Sequence, residues 1–171
     1  MTFEEFAAQR LPAMVRFAAA LAGNRADAED LIQEVLMRAH SHWPSIGALD
    51  RPDAYVRRMI VNEFISARRR GWRLLPIGRP EDLDTRTAAD HAGQYAERAA
   101  LIGELAKLPR RQRAVLVLRY YEGLSDAEIA GVLSCRPSTV RAYAARALAA
   151  LRVELSRPAD PAPVLIEKGN R

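Results

Sequence analysis

The chain has 171 residues, and its 26 Lys and Arg against 21 Asp and Glu give a formal net charge of +5 and a pI of about 9.9. This basic balance favours a polyanionic partner, and the single cysteine, Cys135, excludes an internal disulfide and a cysteine-based zinc site. The acidic opening residues do not resemble a signal peptide, and no apolar run approaches the length of a membrane span, so we expect a cytoplasmic protein without a membrane partner.

Apolar residues recur with the helical period along most of the chain, which predicts an all-α fold. We expect two small helical modules joined by a flexible linker. The first module covers residues 1–73, the linker 74–93 and the second module 94–156, and a disordered tail follows over 157–171. Proline, glycine and acidic residues interrupt the periodicity in the linker, and three prolines do so in the tail.

Three helices are expected in the first module. The first begins after a capping box formed by Thr2 and Glu5, and Gly23 with Asn24 ends it, since both tolerate left-handed backbone angles. The second runs from about residue 26 to residue 42. A loop over residues 43–50 then leads to the third helix, which is entered through proline.

The second helix carries an acidic face with little positive charge among its members. Its residues are Asp27, Asp30, Gln33 and Glu34. The three carboxylates follow at spacings of three and four, so they share one side of the helix. Three interpretations of this face remain open: a solvated surface, a carboxylate metal site and a docking surface for a basic protein. No His lies at ligand spacing on this side of the helix to complete a metal site. We expect no metal and no cofactor.

Residues 124–143 read as a helix-turn-helix, with two short helices meeting at a tight turn. Ser125 and Glu128 form a capping box before the first helix, and Pro137 fits the first turn of the second. The side chains left outward form a reading edge, which consists of Arg136, Ser138, Thr139, Arg141, Tyr143 and Arg146. Arginine and hydroxyl groups suit phosphates and base edges, so DNA binding is favoured over an ordinary helical hairpin with solvated arginines.

Several motifs resemble bacterial RNA polymerase sigma factors of the extracytoplasmic-function type. Residues 27–36 (DAEDLIQEVL) resemble the family's region-two helix, and residues 53–70 (DAYVRRMIVNEFISARRR) resemble the helix after it. Residues 108–120 (LPRRQRAVLVLRY), together with the helix-turn-helix, resemble region four. Two such motifs in the right order are much more specific than either alone.

The resemblance covers residues 3–73 and 95–152, and the short acidic linker matches the absence of a region three in this class. The opening residues 1–6 and the block at 55–63 look most like an actinobacterial SigE-type branch. The resemblance implies an alternative sigma factor that directs promoter-specific transcription initiation and is not an enzyme. Core RNA polymerase, promoter DNA and an anti-sigma factor are the implied partners, and we expect a monomer when the chain is free.

The resemblance also assigns roles to particular residues. It implies that the acidic face docks on the clamp coiled coil of the polymerase beta-prime subunit and that the reading edge contacts the −35 element. Tyr143 stands where family members often carry a basic residue, so the family's −35 preference does not transfer safely. Arg141 and Arg146 are expected to differ, one contacting a base and the other a phosphate, without an assignment of which.

Recognition of the −10 element is implied for the third helix and the loop before it. Asn62 matches the family's polar position and can donate and accept hydrogen bonds, as reading a flipped base requires, although it could equally satisfy a nearby backbone group. Arginines would hold phosphates of the opening duplex, namely Arg57, Arg58, Arg68, Arg69 and Arg70.

Two other functions compete with this interpretation. A stand-alone helix-turn-helix regulator would explain the second module, would leave the acidic face without a purpose, and would bind duplex DNA tightly without polymerase. A metal-dependent nuclease using Asp27, Asp30 and Glu34 would need a catalytic cleft that the sequence does not provide, and it would cleave DNA when a divalent metal is added.

Overall fold

The computed structural model describes residues 1–66 and 92–156, and within the second range the side chains of residues 97–152. The expected tail and most of the expected linker lie outside the described residues, and a helix begins at residue 92, near the end of that linker. Three residues of the first module also lie outside the described residues, namely Arg68, Arg69 and Arg70. The elements are α1 Phe3–Ala22, α2 Arg25–Ser41, α3 Trp43–Ile46, α4 Pro52–Ser66, α5 Ala92–Lys107, α6 Arg110–Leu116, a π-helical turn Val117–Tyr121, α7 Asp126–Leu133 and α8 Pro137–Ser156. The prediction of an all-α fold is confirmed for the described part of the chain.

In the first module, α1 packs along α2, and α4 lies against both. The capping box of α1 is formed as expected, since Thr2 N donates to Glu5 Oε2 at 2.8 Å and Glu5 N donates to Thr2 Oγ1 at 3.2 Å. Gly23 ends α1 with a left-handed φ of 85°. The core between these helices contains Phe6, Leu31 and Ile60, all almost fully buried.

The segment after α2 differs from the expected loop, because residues 43–46 form the short helix α3. Trp43 packs against the rings of Phe3 and Phe6, at centroid distances of 5.5 and 4.8 Å, and Ile46 is buried. These contacts with α1 hold one helical turn in place. Because helix α3 depends on these tertiary contacts, the local pattern of turn-forming residues did not predict it.

The second module is built around α6 and α8, with α7 packed on α8. Its core includes Leu118, Ile129 and Val140, which are buried with no measurable exposure. In the described part of the chain, no helix combines the length and the apolar character that crossing a membrane requires.

The two modules also pack against each other, which the sequence did not predict. Helix α1 contacts α5, α6 and the π-helical turn, and α4 contacts α6 and α7. The rings of Phe17 and Tyr121 stack across this boundary with centroids 6.4 Å apart. A Cβ placed on Gly23 would lie 3.1 Å from the Cβ of Ala106, so the close approach of α5 favours glycine here, as does the left-handed backbone.

Candidate nucleic-acid interface and acidic docking face

The helix-turn-helix is present as α7, a tight turn and α8. At the start of α7, Ser125 N donates to Glu128 Oε2 at 2.8 Å, and Glu128 N donates to Ser125 Oγ at 3.3 Å. Hydrogen bonds from the backbone and side chain of Ser125 lower the pKa of Glu128. Ser134 turns the chain with a left-handed φ of 51°, and Cys135 N donates to the Ala130 carbonyl at 3.0 Å.

Removing the cap should weaken this motif measurably. We expect Ser125→Ala to destabilise the chain by about 1 kcal/mol, since an N-terminal amide of α7 loses its acceptor. Because the folded-state pKa of Glu128 is lowered, its stabilising contribution is present above the ordinary carboxylate pKa and is lost as pH falls through the lowered value. The variant keeps the hydrogen bond from the Ser125 backbone, which is the larger cause of the lowered pKa, and loses the one from the side chain, so this acid-side loss should shrink in part. Urea unfolding at several pH values measures both effects, and an unchanged pH dependence would contradict this account.

The reading edge of α8 faces solvent over most of its length. Arg136, Ser138, Arg141 and Arg146 are exposed, whereas Thr139 and Tyr143 are half-buried. The Arg141 side chain retains 62% exposure, and its nearest carboxylate oxygen, on Asp126, lies 3.9 Å away. The opposite side of α8 is buried through Val140, Ala144 and Ala147. The arginines and Ser138 are therefore available to a ligand, while the two half-buried residues are partly committed to packing.

The acidic face of α2 divides into two exposed and two half-buried residues. Asp30 and Gln33 are exposed, and Asp27 and Glu34 are half-buried. Asp27 belongs to the start of the helix, since its backbone N donates to Asn24 Oδ1 at 2.8 Å and its Oδ2 accepts from Asn24 Nδ2 at 2.7 Å. Glu34 lies 3.9 Å from Arg38. Asp30 and Gln33 are the members of the face best placed to meet a partner.

A metal site on this face finds no support in the geometry. Across residues 1–66 and the described side chains of the second module, no three His, Cys, Asp or Glu residues are grouped closely enough to hold an ion.

Beside the acidic face runs an apolar groove between α1 and α2 that sequence reasoning missed. Its apolar lining residues are Phe3, Leu11, Val15, Ile32, Leu36 and Met37, and Glu4, Glu29, Gln33 and His40 line it as well. Gln33 borders it, and Met37 remains 55% exposed although it is a large apolar side chain. Met37 follows Gln33 by four residues on the same helix, so its position beside the acidic face was the available signal.

Helix α4 carries the residues assigned to −10 recognition, and they occupy different environments. Asn62 is exposed, which leaves its amide open to a ligand. Arg57 is half-buried, with its Nε 2.8 Å from Glu122 Oε2. Arg58 donates from its guanidinium to Ser134 Oγ at 3.1 Å. Both arginines therefore contact the second module, and sequence reasoning identified neither Glu122 nor Ser134 as their neighbours.

A buried arginine, Arg113, connects the two modules and was also missed. It donates to the Leu21 carbonyl at 2.8 Å, to the Leu108 carbonyl at 3.2 Å and to the Ala106 carbonyl. Its guanidinium lies 5.3 Å from the centroid of the Phe64 ring. Burial, with a smaller effect of Arg110, lowers the pKa of Arg113 to about 10, so the side chain is still charged at neutral pH.

Comparison with known proteins finds a family model that matches each of the two modules. The family model described as Sigma-70 region 2 matches residues 6–74, and that described as Sigma-70, region 4 matches residues 98–151. The RNA polymerase sigma-E factor of Streptomyces avermitilis is 37% identical over 163 residues, covering 94% of this chain and 89% of the relative. The ECF RNA polymerase sigma factor SigL of Mycobacterium tuberculosis is 35% identical over 147 residues, covering 82% of this chain and 81% of the relative.

Two solved structures are similar in fold. The sigma factor RpoE, in complex with the anti-sigma factor NepR from Bartonella quintana, matches with a TM-score of 0.63 and 27% identity, covering 91% of this chain and 98% of that one. CnrH, in complex with the cytosolic domain of CnrY, matches with a TM-score of 0.58 at 23% identity, covering 90% and 86% of the two chains.

Proposed function

The chain belongs to the sigma-70 family, as an alternative sigma factor of the extracytoplasmic-function type that acts in transcription initiation, and we propose how its surfaces divide that work. Residues 1–73 hold core RNA polymerase and the −10 element, and residues 94–156 hold the −35 element. The observation that carries this proposal is that one chain presents an acidic face on α2, with Asp30 and Gln33 exposed, and a reading edge at α8 whose three arginines are exposed.

Polymerase docking is assigned to the acidic face. Asp30 and Gln33 meet the clamp coiled coil directly, while Asp27 and Glu34 add negative charge from half-buried positions. Charged groups at the rim of an interface steer association and set register. The apolar groove beside them, with Met37 at its border, supplies surface that can be buried in the same contact.

Promoter contacts are assigned to α8 and α4. Helix-turn-helix proteins contact base edges with the N-terminal part of the recognition helix, so Arg136, Ser138 and Arg141 are placed to read bases. Arg146 lies between one and two helical turns beyond Arg141, where contact with a DNA phosphate is expected. On α4, Asn62 reads an unpaired base of the −10 element, and Arg57 and Arg58 bind phosphates of the DNA backbone.

The two arginines of α8 should respond differently to alanine substitution. Arg141→Ala is expected to cost about 1–3 kcal/mol and to relax preference at one base pair of the −35 element. Arg146→Ala should weaken binding to all sequences together and reduce the salt slope by about one. Binding to −35 duplexes carrying single base changes, at two salt concentrations, separates these outcomes. Equal loss on every sequence for both variants would contradict base reading by Arg141.

The chain also has a proposed regulator and a proposed place of action. An anti-sigma factor is a fitting partner, because a sigma factor of the same fold, 27% identical over most of its length, has been solved in complex with one. The chain acts in the cytoplasm, where core polymerase is found, and performs no covalent chemistry itself.

The decisive test is competition for core RNA polymerase. The labelled chain is mixed with core enzyme and displaced by a housekeeping sigma factor, and transcription from candidate promoters is measured in parallel. Nanomolar competition together with promoter-dependent transcripts supports the proposal. A folded chain that does not bind core enzyme, yet binds a duplex tightly without it, would instead favour a stand-alone helix-turn-helix regulator.

A further inference from the structure

Asp126, at the start of α7, contacts arginines from two other elements of the second module. Arg119, in the π-helical turn, donates from Nη2 to Asp126 Oδ1. The other carboxylate oxygen, Oδ2, lies 3.9 Å from Nη1 of Arg141 on α8. Asp126 and Arg119 are half-buried, whereas Arg141 is exposed. One carboxylate therefore links the π-helical turn, α7 and an arginine of the reading edge.

This contact distinguishes Arg141 from the other two arginines of the reading edge. Within the described part of the chain, neither Arg136 nor Arg146 has a carboxylate at ion-pair distance. A guanidinium that already faces a fixed acceptor loses less conformational freedom on binding than one that moves freely in solvent. Arg141 is therefore the arginine whose direction is restrained before DNA arrives.

We propose that Asp126 is a positioning residue for −35 recognition, which holds Arg141 toward a base edge and away from the nearest phosphate. The inference rests on the proposed role of Arg141 in reading one base pair of the −35 element. Asp126 acts without touching DNA, because its two oxygens face Arg119 and Arg141.

The guanidinium group allows a base and the carboxylate to be bound together. Arginine has several N–H donors in a planar fork, and guanine accepts two of them at O6 and N7. The remaining donors keep facing Asp126, so guanine is the base that this arrangement fits best. A phosphate at Arg141 would instead bring a second anion close to the carboxylate. The carboxylate thus disfavours a contact that every DNA sequence offers and leaves the guanine contact intact.

Asp126 also has a structural role that must be separated from positioning. A carboxylate in the first turn of a helix is favourable because of the partial positive charge there. That effect depends on the charge, whereas the hydrogen bond from Arg119 fixes where the carboxylate points. A structural role alone would weaken binding to all sequences equally. Base preference is therefore the readout that distinguishes the two roles.

The test uses the full chain with Asp126→Asn, which keeps the shape of the side chain and removes its charge. Glu97→Gln is the matched control, because Glu97 is exposed on α5 and its substitution removes the same charge away from α8. Affinity is measured for −35 duplexes in which each base pair is changed in turn, at two salt concentrations. Each preference is a ratio of affinities on one protein sample, so a destabilised variant still gives a valid result.

We expect Asp126→Asn to lower the preference about threefold or more relative to Glu97→Gln, at the same base pair that Arg141→Ala affects, as the loss of a partly exposed ion pair allows. On the disfavoured duplexes its salt slope should steepen by about one, because the released Arg141 contacts a phosphate. Asp126→Glu keeps the charge and should retain more of the preference than Asp126→Asn.

The outcomes separate this inference from the proposed function. A preference as sharp in Asp126→Asn as in Glu97→Gln would overturn the positioning role, and so would a uniform loss on every duplex. If Arg141→Ala removes the preference and Asp126→Asn does not, base reading by Arg141 stands and only the positioning role fails. A preference that survives Arg141→Ala would overturn base reading by Arg141 and this inference with it.

Discussion

Replacing Asp30 with lysine is expected to weaken binding of core RNA polymerase by about 10- to 100-fold, or about 1.4–2.8 kcal/mol. Asp30 is exposed in the middle of α2 and, among the described residues, forms neither a cap nor an ion pair. Its reversal therefore leaves the folded module intact and places a positive charge against a basic partner. Like charges brought together across an interface cost up to several kcal/mol.

The measurement is displacement of a housekeeping sigma factor from core enzyme by the variant and by the unaltered chain. Glu97→Lys on α5 is the control, because it makes the same change of charge away from α2. Asp27 is a poorer choice, since its carboxylate accepts from Asn24 and its loss would disturb the start of the helix. Core binding by Asp30→Lys as tight as that of the control would refute docking through the acidic face.

Replacing Arg113 with methionine is expected to lower the free energy of unfolding by about 2–4 kcal/mol. The variant fills part of the same space but leaves the carbonyls of Leu21, Ala106 and Leu108 without this donor. A buried acceptor that loses its partner costs about 1–3 kcal/mol, and hydrogen bonds from charged groups are stronger than neutral ones. Loss of the contact with the Phe64 ring adds to the effect.

Urea unfolding of the full chain measures this loss, with Arg111→Met as the control. Arg111 lies on the same helix two residues away and is exposed, so its substitution should change stability by no more than about 0.5 kcal/mol. Arg113→Lys keeps the charge without the planar fork and should recover only part of the loss. A variant Arg113→Met as stable as the control would show that these hydrogen bonds contribute little.

The helix-turn-helix could be predicted because its signals act over a few residues. The box formed by Ser125 and Glu128 starts α7, and Pro137 starts α8, both at the positions expected. Ile129 and Leu133 on α7, and Val140 and Ala147 on α8, are buried at helical spacings, so the residues left over were exposed or half-buried as their positions implied. The short helix α3 lacked such signals and depends on contacts of Trp43 with α1.

Individual members of the predicted sites were harder to judge. Spacing placed Asp27 beside Asp30 on one side of α2, but it did not indicate that Asp27 is bound to Asn24. Likewise, Arg57 and Arg58 are neighbours in a basic stretch, yet one is half-buried in an ion pair and the other is exposed. Exposure depends on what packs nearby, and periodicity along one helix carries no information about that.

The sequence by itself determined the helices other than α3, the capping boxes, the order of the two modules and the family, because each of these depends on residues close together in the chain or on motifs in series. Only the tertiary structure decided that the modules dock. Arg58 meets a residue 76 positions away, and Arg113 meets one 92 positions away. Such contacts arise from the shape of surfaces assembled from several helices, so no local pattern announces them. They nevertheless decide which of the arginines proposed to bind DNA are exposed and which are half-buried.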